Sequence, residues 1–246
     1  MTICLYAITD LPEMPLPAQL GLDDAVLAPI VWHNIGAVIS SHDGESPPAS
    51  AEALWRYEAV IEALMERRTV LPVRYGTILP SAHAVTDMLC RAYTQFTDDI
   101  ARIQGQVEIG VRFVPLAVCA EDLSAAPKEP IATSGTAYLM TKFAEVQDRE
   151  RRRAAATETA RAMHAILKRL ATASRFDAET ADRDWIGAAF LMPRDATETF
   201  RQAVCQLAKA HPKLALLCTG PWPPYSFVSA QAGERAIGED NHGYLH

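Results

Sequence analysis

Histidine and cysteine, the side chains best suited to bind a metal or attack a substrate, are scattered through this sequence. Of the seven histidines, only His242 and His246 have the i, i+4 spacing of two ligands on one helical turn, and both lie in a polar C-terminal tail. The five cysteines are widely spaced and form no CxxC pair. They are Cys4, Cys90, Cys119, Cys205 and Cys218. Because metal sites and catalytic cysteines usually have a recognisable local pattern, we predict no metal and interpret the cysteines as reduced and buried.

The sequence also lacks the motifs of common enzymes. It contains no GxGxxG, GxxxxGK[ST] or GxSxG, the patterns that hold phosphates or present a catalytic serine. We therefore predict a protein that is not an enzyme and binds no cofactor. The formal net charge of -7 argues against nucleic acid and anionic membranes as partners. No apolar run is long enough to span a membrane, so we expect a soluble cytoplasmic protein.

Three charged residues could form a polar patch on a sheet. Arg74 lies between apolar neighbours in "VLPVRYG", and Glu108 and Arg112 alternate with apolar residues in "QVEIGVRF". The patch could contact a partner protein, or it could be an ion pair on a solvated sheet face, which is the commoner case. The basic run "RERRR", at residues 149–153, has acidic neighbours and no aromatic residues, which is typical of a solvated helix surface.

The stretch "LCTGPWPPYSFV", at residues 217–228, holds three prolines, a tryptophan and a tyrosine between apolar runs. Proline fixes φ and stiffens a turn, so we predict a rigid turn between the last two strands. Trp222 and Tyr225 could pack as an aromatic corner that pins the last strand. Alternatively, they could stand exposed as a docking site, since both residue types anchor interfaces well.

The elements that position these residues can be predicted from hydrophobic periodicity. Strands are predicted at "TICLYAIT", "APIVWHNIGAVISS", "TVLPVRYGTIL" and "QVEIGVRFVPLAV". One helix is predicted after Ser50, its N-cap, and another over "SAHAVTDMLCRAYTQFTDDIARI". The order β-β-α-β-α-β predicts a ferredoxin-like α+β domain over residues 1–125, with helices on one face of its sheet.

Residues 126–246 are predicted to form a smaller α+β domain. A polar, proline-containing linker marks the boundary near residue 125. The long helix from Thr136 to about Ala173 has apolar ends and a polar middle, so it cannot be fully buried and extends past the domain or breaks. Strands at "DWIGAAFLMP", "KLALLCTG" and "YSFVSA" and the helix "RDATETFRQAVCQLAKAH" follow. A frayed polar tail ends the chain.

Five sequence blocks, spread over nearly the whole chain, carry a family resemblance. They are "LYAIT", "TVLPVRYGTIL", "SGTAYL", "DWIGAAFLMP" and "TGPWPPYSFV". Together and in this order, they are similar to the gas vesicle protein F/L family (GvpF/GvpL). Whether the chain is of the F or the L type stays open at this point.

The resemblance implies an accessory factor for gas vesicles, the gas-filled compartments with a protein wall. It implies a two-domain α+β fold and contact with the small hydrophobic shell protein GvpA, with other accessory proteins as further candidate partners. It brings no catalytic residue and no cofactor. Two roles remain open, an assembly factor that binds GvpA transiently and a minor structural component of the vesicle surface.

Six residues are predicted to contact the partner or to hold the contacting surface in place. They are Arg74, Glu108, Arg112, Trp222, Pro224 and Tyr225. The resemblance adds weight to Arg74, Trp222, Pro224 and Tyr225, because these four fall inside two of the blocks quoted above. We expect the N-terminal domain to provide the main contact and the aromatic turn to come second.

Overall fold

A computed structural model describes the protein over residues 2–10, 15–44, 46–116, 135–178 and 185–229. The predicted α+β class is confirmed, because the described chain has a five-stranded sheet, a four-stranded sheet and helices that include one of 33 residues. The chain forms two compact units, residues 1–107 with 222–246, and residues 108–221. The predicted boundary near residue 125 lies outside the described residues.

The sheet of the first unit is built around an apolar central strand. Its strands are β1 Thr2–Thr9, β2 Ala28–Trp32, β3 Ile35–His42, β4 Val70–Pro72 and β5 Ile78–Leu79. The order is β2-β3-β1-β4, and β5 also pairs with β1. Strand β1 pairs antiparallel with β3, β4 and β5. Residues from Cys4 to Ile8 are buried, which fits the continuous apolar run of this strand.

The second predicted strand is a hairpin. Strands β2 and β3 pair antiparallel up to Trp32 and Ile35, so the turn consists of His33 and Asn34. His33 has a φ of 55°, in the left-handed region that two-residue hairpin turns require. The prediction of a single strand over "APIVWHNIGAVISS" was therefore wrong. The turn contains neither glycine nor proline, so nothing in the sequence interrupts the apolar pattern there.

The third predicted strand is also interrupted. Strands β4 and β5 flank a turn in which the backbone nitrogen and the hydroxyl of Thr77 donate to the Arg74 carbonyl at 3.2 and 2.8 Å. Gly76 has a φ of 94°, which is readily available only to glycine. The turn therefore needs the glycine of "VRYGT", and the run could not continue as one strand.

Three α-helices lie in the described part of the first unit. They are α1 Ala51–Met65, α2 Ala82–Arg91 and α3 Tyr93–Ile103. The predicted cap of α1 is confirmed, since the Ser50 side chain accepts from the Ala53 backbone nitrogen. The single helix predicted over residues 81–103 is two helices that break at Ala92, whose φ of -105° and ψ of 15° are not helical. No proline or glycine marks this break, so periodicity alone runs across it.

The second sheet has the strand order β7-β8-β6-β9. Its strands are β6 Gln106–Pro115, β7 Ala173–Asp177, β8 Ile186–Pro193 and β9 Leu214–Trp222, and its helices are α4 Gly135–Leu167 and α5 Thr197–Ala210. Strand β7, with the sequence "ASRFD", was not predicted because it is polar and lacks a clear period. The predicted last strand "YSFVSA" is instead a 3₁₀ turn at Tyr225–Phe227.

The cysteines correct one further expectation. Cys4 is buried and Cys218 is half-buried, but Cys90 and Cys205 are exposed, and none of these four forms a disulfide. The interpretation of all five as buried was therefore wrong for Cys90 and Cys205. Both lie on helices, where a single cysteine can face solvent without disturbing the apolar stripe.

Candidate functional site

The proline-rich stretch ends in a segment that closes the first unit, and we call residues 222–229 the closing segment. Pro223, Pro224 and Phe227 are buried within it. The Phe227 backbone nitrogen donates to the Pro224 carbonyl at 3.0 Å, which closes the 3₁₀ turn. Trp222 and Tyr225 remain 39% and 37% exposed. The corner is thus packed by prolines and Phe227, while the two large aromatic rings lie partly at the surface.

Helix α3 holds the end of the closing segment. The buried Asp99 carboxylate accepts from the Ser229 backbone nitrogen and from its hydroxyl, both at 3.0 Å. Arg102 forms an ion pair with Asp99 and donates to the Phe227 carbonyl at 2.7 Å. Neither residue was predicted from the sequence. The available signal was that Asp99 falls at helical spacing among Phe96, Ile100 and Ile103, so a charge was placed inside an apolar stripe.

Helix α1 contacts the same segment. The Tyr225 hydroxyl lies 2.9 and 3.0 Å from the two carboxylate oxygens of Glu58 and donates to them. Burial raises the pKa of the Glu58 carboxyl, the hydrogen bond from Tyr225 lowers it, and the nearby charge of Glu62 raises it. Trp55, three residues before Glu58, is 74% exposed. An aromatic and acidic surface therefore forms where α1 meets the closing segment.

Tyr57 connects α1 to the strand segments. Its hydroxyl lies 2.9 Å from the Leu5 carbonyl and 2.9 Å from the Val73 carbonyl. Its ring stacks on Tyr6 with 4.9 Å between centroids. Burial raises the pKa of Tyr57 well above its ordinary value, so its hydroxyl stays protonated and donates. The "VLPVRYG" block and the closing segment thus both meet helix α1, through Tyr57 and Glu58.

Four of the six predicted contact residues lie in this first unit. Arg74 is exposed, and its carbonyl is held in the turn before β5. Trp222 and Tyr225 are partly exposed, whereas Pro224 is buried. Arg74, Trp222 and Tyr225 are therefore accessible to a partner, whereas Pro224 packs in the interior.

Glu108 and Arg112, the other two, lie on strand β6 of the second sheet. Glu108 is only 8% exposed, so its placement on a solvated sheet face was wrong. Strand β6 is an inner strand, between β8 and β9, and both faces of an inner strand can be covered. Arg112 is exposed, and its guanidinium lies 4.5 Å from the centroid of the Trp185 ring, a cation–π geometry.

The first half of helix α4 is exposed on every described side chain from Gly135 to Arg152. Five large apolar side chains lie within nine residues of this half. They are Tyr138, Leu139, Met140, Phe143 and Val146, exposed by 43%, 67%, 71%, 65% and 55%. Leu139, Phe143 and Val146 have i, i+4, i+7 spacing and share one face. We call these five residues the α4 apolar stripe.

The rest of α4 agrees with the predicted mixture of polar and apolar segments. The "RERRR" run is a solvated surface, where Arg151 and Asp148 lie 3.8 Å apart and both are exposed. Ala160, Met163 and Leu167 are buried and pack the second half of the helix. The helix is continuous through the polar middle, so of the two alternatives left open by the sequence, the break does not occur.

The described ranges hold no group of three or more histidine, cysteine, aspartate or glutamate residues arranged for a metal ion. Within the same ranges, no helix is long and apolar enough to cross a membrane. His242 and His246 lie outside the described residues.

Comparison with known proteins defines the class. A family model described as "Gas vesicle synthesis protein GvpL/GvpF" matches residues 2–229. The chain belongs to this gas vesicle synthesis family, which confirms the resemblance seen in the five sequence blocks.

Individual relatives include both types of the family. Gas vesicle protein F2 of Halobacterium salinarum is 24% identical over 210 residues, which cover 83% of this chain and 81% of that protein. Gas vesicle protein L of a Streptomyces species is 28% identical over 189 residues, covering 72% of this chain and 69% of that protein.

Two solved structures share the fold. The crystal structure of GvpF from Anabaena sp. PCC7120 has a TM-score of 0.71 at 21% identity and covers 100% of this chain and 99% of that chain. GvpF from Microcystis aeruginosa has a TM-score of 0.68 at 20% identity and covers 93% and 99%. The likeness spans both sheets and the long helix.

Proposed function

We propose that this protein binds the hydrophobic shell protein GvpA and assists gas vesicle assembly. The observation that carries the proposal is the α4 apolar stripe, which the described chain leaves open to solvent. The main proposed contact thereby moves from the N-terminal domain, where the sequence led us to expect it, to helix α4. Contiguous exposed apolar surface marks interaction sites. In a protein of the gas vesicle synthesis family, a hydrophobic wall subunit is a partner that matches this surface.

The stripe has the form of a helix-docking face. Leu139, Phe143 and Val146 repeat at the spacing with which an amphipathic helix lays its apolar side against a partner. An isolated helical segment gains little stability from propensity alone, so covering this face would stabilise the helix as well as the bound subunit. A shell subunit covered in this way would be kept from aggregating before it joins the wall.

The binding should be of moderate strength, because the subunit must be released into the growing wall. Burying an apolar side chain contributes roughly 1.5–3 kcal/mol, and association itself costs several kcal/mol or more in lost freedom. A stripe of five residues is therefore compatible with reversible binding. Arg74, Arg112, Trp222 and Tyr225 are further proposed contacts, and Glu108 and Pro224 are proposed to position them.

The test is co-expression of GvpA with this chain, followed by affinity purification. We expect a soluble complex, with GvpA insoluble when it is expressed alone. Phe143→Asp, which places a charge in the stripe, should reduce co-elution at least about tenfold, because a desolvated charge is costly. Ile166→Asp is the matched control, since Ile166 is 50% exposed on the same helix but outside the stripe. Failure of GvpA to co-elute with the wild-type chain would overturn the proposal.

A second measurement separates a transient assembly factor from a component that stays on the vesicle surface. Purified vesicles are washed with urea and probed for this protein with an antibody. An assembly factor should be absent from washed vesicles and present with soluble GvpA during assembly. Retention at a constant ratio to GvpA after washing would instead identify a structural component.

A further inference from the structure

Helix α1 carries a second surface, chemically different from the α4 apolar stripe. Trp55, Glu58 and Glu62 have i, i+3, i+7 spacing, so they lie together on one face of the helix. The hydroxyl of Tyr225 is bound to the Glu58 carboxylate at 2.9 and 3.0 Å. We call these four residues the α1 aromatic–acidic surface. All four belong to the first unit.

The aromatic part of this surface is open to a partner. Trp55 is 74% exposed and Tyr225 is 37% exposed. Leu54, the neighbour of Trp55, is 44% exposed and adds apolar area at the border of the face. Tryptophan and tyrosine are the residue types that most often dominate binding energy when they are buried by a partner.

In the acidic part of this surface, the carboxylates of Glu58 and Glu62 form no ion pair with a basic side chain of the described residues. Glu58 and Glu62 are four residues apart on one helix, where like charges repel, and Glu58 is partly buried. Arg56, two residues before Glu58, pairs instead with Asp24 and lies 3.6 Å from Glu52. A cation brought by a partner would relieve this repulsion.

We infer that the α1 aromatic–acidic surface binds a basic amphipathic helix of a partner protein. Lysine or arginine side chains of that helix would pair with Glu58 and Glu62 and lie over the Trp55 ring, which favours cations electrostatically. Leucine or isoleucine side chains on its apolar face would cover Trp55 and Tyr225. The occupant is defined by this chemistry, so the inference stands or falls separately from the binding of GvpA.

The test uses the full chain and a synthetic 18-residue helical peptide with leucine on one face and lysine on both flanks. A matched peptide has glutamate at every lysine position. Binding is measured by the fluorescence anisotropy of labelled peptide at low and high salt. We expect the lysine peptide to bind at least about tenfold more tightly than the glutamate peptide, with a difference that shrinks as salt screens the charges.

Two substitutions locate the binding to this surface. Glu62→Lys should weaken the lysine peptide about tenfold or more, because it replaces attraction by repulsion. Glu158→Lys makes the same change of charge at an exposed position on helix α4 and should leave binding unchanged. Trp55→Ala should also weaken binding, and since Trp55 is largely exposed it should not change the urea midpoint of unfolding. Equal binding of the two peptides, or equal effects of Glu62→Lys and Glu158→Lys, would overturn the inference.

Discussion

Tyr57 is the residue at which three segments of the first unit meet. Its hydroxyl is within 2.9 Å of carbonyls from β1 and from the turn after β4, and its ring stacks on Tyr6. We predict that Tyr57→Phe lowers the free energy of unfolding by about 1–3 kcal/mol, because a buried hydrogen bond is lost and its acceptors lose their donor. Urea unfolding followed by circular dichroism measures the change.

Tyr75 provides the control for this substitution. Its hydroxyl also donates to a carbonyl, that of Pro48 at 2.7 Å, but this hydrogen bond is exposed to solvent. Water can replace an exposed donor, so Tyr75→Phe should cost well under half as much as Tyr57→Phe. If the two substitutions cost the same, the buried carbonyls of Leu5 and Val73 do not depend on Tyr57.

The raised pKa values of Cys4 and Tyr6 predict that the protein loses stability at alkaline pH. Burial raises the pKa of the Cys4 thiol from 9.0 to about 12. Burial also raises the pKa of the Tyr6 hydroxyl from 10.0 to about 12. Above pH 9 the unfolded chain therefore releases protons that the folded chain keeps, and the free energy of unfolding falls with rising pH. This contribution is complete below pH 9 and is lost as the pH approaches 12.

The cysteine part of this effect can be isolated by substitution. In Cys4→Ala, the fall in stability between pH 9 and 10 should be smaller than in the wild-type chain, because the Cys4 contribution is gone while those of Tyr6 and of the half-buried Cys218, whose pKa burial also raises, remain. Unfolding by urea at pH 8 to 11, with a reductant present, measures the profile. Cys90→Ala, which removes an exposed thiol, is the matched control. A Cys4→Ala profile parallel to that of the wild-type chain would contradict the prediction.

The stiffness of the aromatic turn could be predicted from the sequence, but the contacts that hold it in place could not. The three prolines predicted a stiff segment. For Trp222 and Tyr225, the sequence left two interpretations open, a packed corner and an exposed docking site. What the sequence could not reveal is that Phe227 fills the buried position and that Asp99 and Glu58 hold the backbone and the hydroxyl. These contacts join residues 130 and 167 positions apart, and no local pattern encodes such pairs.

At the scale of elements, the closing segment depends on one carboxylate of α3. Asp99 accepts two hydrogen bonds from Ser229 and pairs with Arg102. We predict that Asp99→Ala lowers the free energy of unfolding by about 2–3 kcal/mol, because charge-assisted hydrogen bonds are lost and the partly buried donors of Ser229 remain without their acceptor. The measurement is urea unfolding combined with hydrogen exchange, which should show faster exchange of the Ser229 amide.

The adjacent residue is a close control for this prediction. Asp98 has the same side chain one position earlier on α3, but it is exposed. Asp98→Ala should change stability by less than about 0.5 kcal/mol, as surface substitutions usually do. If Asp99→Ala leaves exchange at Ser229 slow, the segment is held by Phe227 burial rather than by the carboxylate.

The elements themselves were predicted where hydrophobic periodicity was strong and uninterrupted. Strand β1, helix α1 with its Ser50 cap, strand β6 and the long helix were all found. Of the boundaries that were missed, two depend on backbone conformation at residues without a strong local signal, His33 in the hairpin turn and Ala92 in the helix break. Strand β7 was missed because its polar sequence is stabilised by pairing with β8, a tertiary contact.

At the scale of the whole molecule, the second unit is an insertion whose two connections are neighbouring strands. The chain leaves the first unit along β6 and returns along β9, and these strands are adjacent in their sheet. The pairing register of β6 and β9 follows from two contacts. In the first, the Leu116 backbone nitrogen donates to the Lys213 carbonyl at 3.2 Å. In the second, Gly110 lies opposite Thr219. Continuing this antiparallel register brings Val107 opposite Trp222.

This register predicts that the first unit folds without the second. Residues 108–221 are replaced by a short glycine-containing turn that joins Val107 to Trp222. Because both ends lie side by side, the closure costs little chain entropy, and the apolar core of β1 and α1 is retained. We expect a single cooperative unfolding transition, measured in urea by circular dichroism and by tryptophan fluorescence with matching midpoints.

A shorter chain that ends at Val107 shows what the closing segment contributes. It lacks the buried Phe227 ring and the hydrogen bonds to Asp99, Arg102 and Glu58. Burial of one aromatic side chain together with such hydrogen bonds should make the joined protein more stable by about 3 kcal/mol or more. If the two proteins unfold at the same urea concentration, the closing segment adds no stability to the first unit. If the joined protein shows no cooperative transition, the second unit is required for the first to fold, and the insertion is part of one folding unit.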